Sequence, residues 1–343
     1  MQVTVIGLDL AKNLFQIHGL DAEGTTVIRK KLGRPSLLPF FSQLPPCVVG
    51  MEACATSHYW ARELRALGHD VRLMPPNYVK PYVKRGKNDA ADAEAICEAV
   101  TRPTMRFVAI KSAEQQSALM LHRSRDLLIR QRTMLANALR GHFAELGIVV
   151  AQGLRNLAKL IEIVADEKDT RVPPIARHAL QMLVAGIQDL QVRIRDLERA
   201  LLAWHRASET SRRLESIPGV GFVTATAIAA TMTDAAQFRS GRQFAAWLGL
   251  VPRQNSSGGK DRLGRISKMG NRYLRRLLVV GATALIRFAR NRATPLSAWA
   301  DNLLTRRPAR LVSVALANKI ARVVWAVLSR GKQYSSQVTV LPA

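Results

Sequence analysis

The sequence predicts an α/β domain built on a mixed sheet, followed by an all-α spacer and a mainly helical, basic C-terminal domain. Short β-branched runs alternate with helix patterns over residues 1–110. A long heptad repeat follows within residues 111–208, which is typical of a helical coiled-coil spacer. Residues 209–343 combine helix patterns with a strong excess of lysine and arginine, and we therefore treat them as a third domain.

The N-terminal domain follows the order βββαβαβα. A strand in Val3–Lys12 and strands over Phe15–Leu20 and Thr25–Leu32 form a predicted meander, and buried strands follow over Cys47–Met51 and His69–Met74. Meander strands followed by alternating helices and strands predict a mixed sheet with helices on its faces. The predicted helices lie over Pro35–Leu44, from Thr56 or Ser57 to Leu67, and from Asn88 or Asp89 to the residues before Pro103.

The spacer contains helix patterns over Ser112–Leu146 and about Leu154–Ala165, followed by a long heptad seam. Steps of three and four residues predict a coiled coil, which pairs either with Ser112–Leu146 of the same chain or with a second subunit. One amphipathic helix inside a bundle is the alternative. The apolar positions of the seam are Leu180, Leu183, Ile187, Leu190, Ile194, Leu197, Leu201 and Trp204.

The stretch Leu214–Met232 places Ile217-Pro-Gly-Val-Gly221 between two predicted helices. Gly219 and Gly221 would let backbone N–H groups gather at the start of the second helix, where the helix dipole favours a phosphate. This arrangement resembles a helix-hairpin-helix, a non-specific grip on the DNA backbone. A tight turn between two packed helices is the structural alternative.

The C-terminal domain is the most basic part of the chain. Residues 251–343 hold 18 lysines and arginines against two acidic residues, and the whole chain has a net charge of +26. Such an excess favours a polyanionic partner, nucleic acid before membrane. Helices are predicted over Phe238–Leu250, Ser267–Asn291 and Ala309–Leu328, with a polar loop, PRQNSSGGKDRLG, over Pro252–Gly264.

Cysteine usage and hydropathy predict a soluble, cytoplasmic protein. Cys47, Cys54 and Cys97 form no CxxC pair and no zinc-binding spacing, as expected for reduced core thiols. The longest charge-free stretch, Ser216–Thr233, contains proline and glycines and is shorter than the ~20 mainly apolar residues of a bilayer span.

Four acidic residues form the candidate catalytic set: Asp9, Glu52, Asp89 and Asp92. Asp9 sits among apolar strand residues, where a carboxylate needs a compensating cation or hydrogen bonds. Taken alone it fits a turn at a strand end. Glu52 ends a later strand, and Asp89 and Asp92 lie three apart on one helix face, so the four acids can meet at one sheet edge. Such carboxylates predict a Mg²⁺ site, with Mn²⁺ as an alternative ion.

The motifs at both ends of the chain resemble one known family. The order of the N-terminal elements and their acids resembles the ribonuclease-H/RuvC-like fold. GLDLAK, the MEA around Glu52, and KNDAADAEA resemble the DEDD-type transposases of the insertion sequence 110 family. LESIPGVG, FRSGRQFAAWLGLVPRQNSSGG and RISKMGNRYLRRLL resemble the second characteristic region of that family. The resemblance covers roughly residues 1–110 and 210–330.

The resemblance implies that Asp9, Glu52, Asp89 and Asp92 bind Mg²⁺ and that Ser257, next to Ser256, is a nucleophile. It also implies a homo-oligomer, a dimer or tetramer, guided by a structured RNA that pairs donor and target DNA. From the residues alone, SSGG fits a flexible linker better. The predicted nucleic-acid contacts are Gly219, Gly221, Arg253, Lys260, Arg262, Arg265, Lys268, Arg272, Arg275 and Arg276.

These features together predict a nucleoid-associated recombinase that cuts and rejoins DNA through a transient phosphoserine link. Two alternatives remain open at this point. One is a metal-dependent RuvC-like junction nuclease that uses water, in which Ser257 is only structural. The other is a non-enzymatic nucleic-acid scaffold that is basic, coiled-coil and multimeric.

Overall fold

The computed structural model describes residues 2–83, 89–255, 262–288 and 294–335, and it divides the chain into two compact units, residues 1–116 and 117–343. The first unit contains the predicted α/β domain. The predicted spacer and the predicted C-terminal domain lie mainly in the second unit, which is helical apart from one small two-stranded sheet.

The first unit is built on a five-stranded mixed sheet with the strand order β3-β2-β1-β4-β5. The meander strands β1, β2 and β3 pair antiparallel, whereas β1 pairs with β4, and β4 with β5, in parallel. The mixed sheet predicted from the sequence is therefore confirmed. Its strands are β1 Val5–Leu10, β2 Leu14–Leu20, β3 Thr26–Gly33, β4 Val48–Glu52 and β5 Asp70–Met74.

Helices cover both faces of this sheet. On one face, Ile6, Leu8 and Phe15 pack with residues of α1 and α2 such as Phe41 and Trp60. The other face packs against α4, whose residues include the buried Ile96. The short helix α3 was not predicted. The helices of this unit are α1 Leu37–Ser42, α2 Ser57–Ala66, α3 Pro76–Val79 and α4 Asp89–Val100.

Two strand glycines let α4 lie directly on the central strands. A Cβ atom added to Gly7 would lie 2.1 Å from the carbonyl oxygen of Ala93 and 2.5 Å from the amide nitrogen of Cys97. A Cβ on Gly50 would lie 2.8 Å from Cβ of Val100. Because any side chain at Gly7 would collide with helix backbone, its absence sets the distance between α4 and β1.

The second unit consists of packed helices and a small hairpin. Its largest core joins α8 to α13 and includes Phe244, Leu278 and Ile320. The helices are α5 Ala113–Glu145, which begins before the division between the units, α6 Leu157–Ala165, α7 Pro174–Ala207, α8 Glu209–Glu215, α9 Phe222–Thr231, α10 Gly241–Trp247, α11 Arg272–Phe288, α12 Pro295–Leu304 and α13 Ala309–Arg330. The strands are β6 Pro252–Gln254 and β7 Leu263–Ile266.

The helix carrying the heptad seam, α7, pairs with α5 of the same chain in antiparallel orientation. Arg125 donates to Glu198 at 2.6 and 2.9 Å, and Arg132 donates to Gln191. Further along, Phe143 of α5 shares a core cluster with Leu180 of α7. The structure thus packs α7 on α5 of the same chain, and the coiled coil itself stays a prediction.

Several helices and strands begin or end at other residues than predicted, in two cases because of side-chain capping. Helix α11 begins at Arg272 rather than Ser267, because Asn271 Oδ1 accepts from the amides of Tyr273 and Leu274 at 3.0 and 3.1 Å. Helix α10 begins at Gly241, not at Phe238, since the Ser240 side chain accepts from the amide of Gln243. The prediction of a polar loop over Pro252–Gly264 is wrong at both ends, because these ends pair as the strands β6 and β7.

The last helix, Ala309–Arg330, is long and apolar enough to cross a bilayer. Val312, Leu316, Ile320 and Val324 of this helix are fully buried in the core of the second unit. Packing inside the protein therefore explains its apolar composition.

The close approach of α4 makes Gly7 a sensitive position. We expect Gly7→Ala to lower the free energy of unfolding by about 3 kcal/mol, because α4 must move away from β1. Gly33→Ala is the matched control, since a Cβ there would meet only Cδ of Pro35 at 3.8 Å. Equal urea midpoints for the two variants would contradict the argument.

Candidate functional site

Asp9 and Glu52 lie at the same edge of the sheet. In the parallel pair β1–β4, Leu8 is opposite Met51, and the two acids come one residue later on their strands. Each acid is two residues after a glycine that faces α4, so strand alternation places both carboxylates on the α4 face. Both residues are partly buried.

Helix α4 brings Asp92 to this edge. Burial raises the pKa of the Glu52 carboxyl, and the negative charges of Asp9 and Asp92 raise it further. Asp9 and Asp92 are therefore both close enough to repel the Glu52 carboxylate, and we call these three residues, on β1, β4 and α4, the acid centre. Of the four predicted acids, these are the three whose side chains the structure describes.

The fourth acid, Asp89, is the first residue of α4, and its side chain lies outside the described residues. Among the described side chains, no three His, Cys, Asp or Glu residues are close enough to hold a metal ion as they stand. The donor chemistry nevertheless fits a hard divalent cation, because Asp9, Glu52 and Asp92 supply only carboxylate oxygens and a cation would relieve their repulsion.

The described residues do not include Ser256, Ser257 and Lys260. The strands β6 and β7, which flank this segment, are described. The amide of Asn255 donates to the carbonyl oxygen of Arg262 at 2.9 Å, which continues the β6–β7 pairing toward the serines. The described residues on either side of the serines are therefore paired with each other.

The base of this hairpin is packed tightly against the end of α10. A Cβ on Gly249 would lie 2.2 Å from the carbonyl oxygen of Met269, and a Cβ on Gly270 would lie 1.8 Å from that of Trp247. Arg275 donates to the carbonyl oxygens of Leu248 and Met269 at 2.8 and 3.0 Å. Both chain segments at the hairpin base are thus held by one guanidinium.

Arg275 was predicted to contact phosphate, and its described contacts instead satisfy backbone carbonyls within the protein. Partial burial lowers the pKa of Arg275, and the charge of Arg272 lowers it further. The sequence holds no local signal for this role, since Leu248 lies 27 residues away.

The other predicted basic contacts divide into two groups. Arg276 forms an ion pair with Asp126 of α5 and lies over the Tyr273 ring, and Arg253 donates to the carbonyl oxygen of Ser267 at 3.3 and 3.4 Å. The remaining described residues of the set are exposed around the hairpin: Arg262, Arg265, Lys268 and Arg272.

The helix-hairpin-helix-like segment joins α8 to α9, and its two glycines differ in role. Gly219 has a φ of +84° and packs against α11, where a Cβ on Gly281 would lie 1.9 Å from the Gly219 carbonyl oxygen. Internal packing therefore explains Gly219. Gly221 is the exposed residue that precedes α9.

One further constellation resembles a catalytic triad. Nδ1 of His205 lies 2.8 Å from the hydroxyl oxygen of Ser211, and Nε2 lies 2.9 Å from a carboxylate oxygen of Glu215. Ser211 is fully buried, so no substrate can reach its hydroxyl. This network ties α7 to α8 and is structural.

Two family models match the chain, and together they cover both parts of the candidate site. A transposase model of the DEDD type of IS110 matches residues 6–148, the range that contains the acid centre. The model "Transposase IS116/IS110/IS902 family" matches residues 211–296, the range that contains the hairpin.

Similar proteins extend over almost the whole chain. A "Probable family 20 transposase" of Pseudomonas aeruginosa is 51% identical over 97% of this chain and 99% of its own length. The "Transposase for insertion sequence element IS1328" of Yersinia enterocolitica is 40% identical over 97% of this chain and 99% of its own. The "Transposase for insertion sequence element IS1111A" of Coxiella burnetii is 39% identical, again over 97% of this chain and over 91% of its own. With both family models and full-length relatives in agreement, this chain belongs to the IS110 family of insertion-sequence transposases.

Proposed function

We propose that this transposase cuts and rejoins DNA strands with a divalent-metal site on Asp9, Glu52, Asp89 and Asp92 and a serine nucleophile, Ser257. The observation that carries the proposal is the acid centre: strand pairing places Asp9 and Glu52 at one sheet edge, and burial, followed by the charges of Asp9 and Asp92, raises the pKa of the Glu52 carboxyl. Carboxylate oxygens are the ligands that hard divalent cations prefer, and such a cation would offset the repulsion that Asp9 and Asp92 exert on Glu52.

The acids have one task in this mechanism, which is to hold a cation against a phosphodiester. A bound Mg²⁺ or Mn²⁺ would neutralise charge on the phosphate oxygens. Asp9 and Glu52 are fixed by strand backbone, and Asp92 by a helix packed on those strands. Such rigid placement suits positioning of a phosphate.

Ser257 would attack the phosphorus of one DNA strand. A bond forms between its hydroxyl oxygen and the phosphorus, the bond from the phosphorus to a deoxyribose oxygen breaks, and the serine proton ends on that oxygen. The phosphoserine ester keeps the energy of the phosphodiester, so a hydroxyl of another strand can reverse the step without ATP. Exposed basic residues such as Arg262 and Arg265 would hold the phosphate nearby.

The proposed partners are element ends and target DNA, a structured guide RNA and further copies of this chain, acting in the cytoplasm at the nucleoid. The proposal of a dimer or tetramer has support from α5. Met120, Leu127 and Met134 are exposed on this helix at seven-residue spacing, which is the spacing of a helix–helix contact. The guide RNA is proposed from the family resemblance alone.

The metal site can be tested with and without catalysis. We expect Asp92→Asn to weaken Mn²⁺ binding at least about 10-fold, measured by electron paramagnetic resonance, and to abolish metal-dependent cleavage of DNA carrying the element ends. Glu98→Gln is the matched control, because Glu98 lies on the same helix but pairs with Arg102. Unchanged Mn²⁺ affinity in Asp92→Asn would remove the metal site from the proposal.

The nucleophile can be tested by trapping a covalent protein–DNA adduct. We expect mass spectrometry to find the adduct in the native chain and in Ser256→Ala, and to find none in Ser257→Ala. An adduct that persists in Ser257→Ala would overturn the assignment. Metal-dependent cutting without any adduct in the native chain would favour the nuclease that uses water.

Arg272 and Arg275 are neighbours on α11 with different expected roles. We expect Arg272→Gln to reduce the slope of log K against log salt for DNA binding by about the amount that one phosphate contact contributes. The melting temperature should stay unchanged. Arg275→Gln should lower the melting temperature, because the carbonyls of Leu248 and Met269 lose their donor. The opposite pattern in binding and melting experiments would contradict this division.

A further inference from the structure

We propose that the sheet face beside the acid centre is a binding groove for the sugar–phosphate backbone of DNA, with Lys31 and Arg29 as its phosphate contacts. The inference deepens the proposed function, since it rests on the acid centre as the place where the strand is processed. Neither residue belongs to the nucleic-acid contacts predicted from the sequence.

The strand register places Lys31 in line with the acid centre. Asp9 of β1 pairs with Gln16 of β2, and Gln16 pairs with Lys31 of β3. Directly paired residues point to the same side of a sheet, so a row of polar side chains crosses three strands on the face that carries α4. The row begins at the acid centre and ends at a lysine on the edge strand.

A second row runs beside the first. Gly7 of β1 pairs with His18 of β2, and His18 pairs with Arg29 of β3. Arg29 is therefore on the same face as Lys31, two residues away on the edge strand. Its side chain is 69% exposed, and Lys31 is also exposed. Lys30, between them, turns the other way and lies over the Phe40 ring.

Gln16, His18, Arg29 and Lys31 of these rows line a groove of about 430 Å³. One wall is the edge strand with Arg29 and Lys31, and the other is the first half of α4 with Ala90, Ala91 and Glu94. Glu94 forms an ion pair with Arg29 at 3.9 Å. Because Lys31 also belongs to the lining, its positive charges still outnumber its negative ones. The small alanine side chains leave room for a chain that passes along the helix.

Charge and distance favour a nucleic-acid backbone in this groove. Lys31 is two strands from Asp9, about 10 Å across the sheet, which is the rise of about three nucleotides in one DNA strand. A strand with one phosphate at the acid centre could therefore place another phosphate at Lys31. We assign the groove to DNA rather than RNA because DNA is the polymer that the acid centre is proposed to cut.

The test uses the full-length chain in EDTA, so that no strand is cut. Binding of a 30-nucleotide mixed-sequence DNA strand is measured over a range of KCl concentrations for the native chain and for the double variant Arg29→Gln, Lys31→Gln. We expect the slope of log K against log salt to fall by about 1.4, because each lost contact to a single strand removes about 0.7. Arg65→Gln on α2 is the control, since that helix packs on the opposite face of the sheet.

A local readout follows lysine acetylation by mass spectrometry. We expect the DNA strand to protect Lys31 and to leave Lys168, in the second unit, unchanged. A salt slope equal to that of Arg65→Gln, or equal acetylation of Lys31 with and without DNA, would overturn the proposal. Protection of Lys31 by RNA of the same sequence but not by DNA would overturn the choice of ligand.

The result is separable from the test of catalysis. If no cleavage and no adduct are found while DNA still protects Lys31, the groove is supported and the proposed chemistry is contradicted. If cleavage is confirmed and Lys31 stays unprotected, the chemistry stands and the strand follows another path.

Discussion

The close contact between α4 and strand β1 is the constraint on which the acid centre depends. Gly7 has no side chain, and the backbone of Ala93 and Cys97 occupies the space that a Cβ would need. Because the helix lies so near the strands, Asp92 comes close to Glu52, whose pKa is raised by burial and then by the charges of Asp9 and Asp92. The first half of the same helix forms one wall of the groove that contains Lys31. A packing requirement at one glycine thus sets the position of the helix that carries Asp92 and borders the groove.

The second unit also contains close backbone contacts that depend on glycine. Gly249 and Gly270 allow two backbone segments to touch at the base of the β6–β7 hairpin, and Arg275 joins the same segments by hydrogen bonds. The described strands of this hairpin are thus held firmly to the end of α10. In both units, described elements that flank or carry the proposed reactive residues are held by backbone contacts that only glycine permits.

Arginines that lie close together in the sequence make different contacts in the structure. Arg272, Arg275 and Arg276 lie within one turn of helix, yet only Arg272 lacks a described role in packing. Arg276 is paired with an aspartate 150 residues earlier. The number of basic residues in the C-terminal part is therefore larger than the number available to bind nucleic acid. The proposed groove adds Arg29 and Lys31 of the less basic first unit to the residues that are available.

The sequence by itself determined the mixed sheet, the main helices and the candidate acids. Those features depend on periodicity and on short-range turn and capping signals, which can be read over a few residues. It did not determine that the predicted loop ends would pair as strands, nor that Thr294 and Ser297 would cap the unpredicted helix Pro295–Leu304. Only the tertiary structure decided which pairing the heptad helix uses, which arginines remain exposed, and which polar residues line up across the sheet. The physical reason is that these properties depend on partners far apart in the chain, and a local pattern carries no record of them.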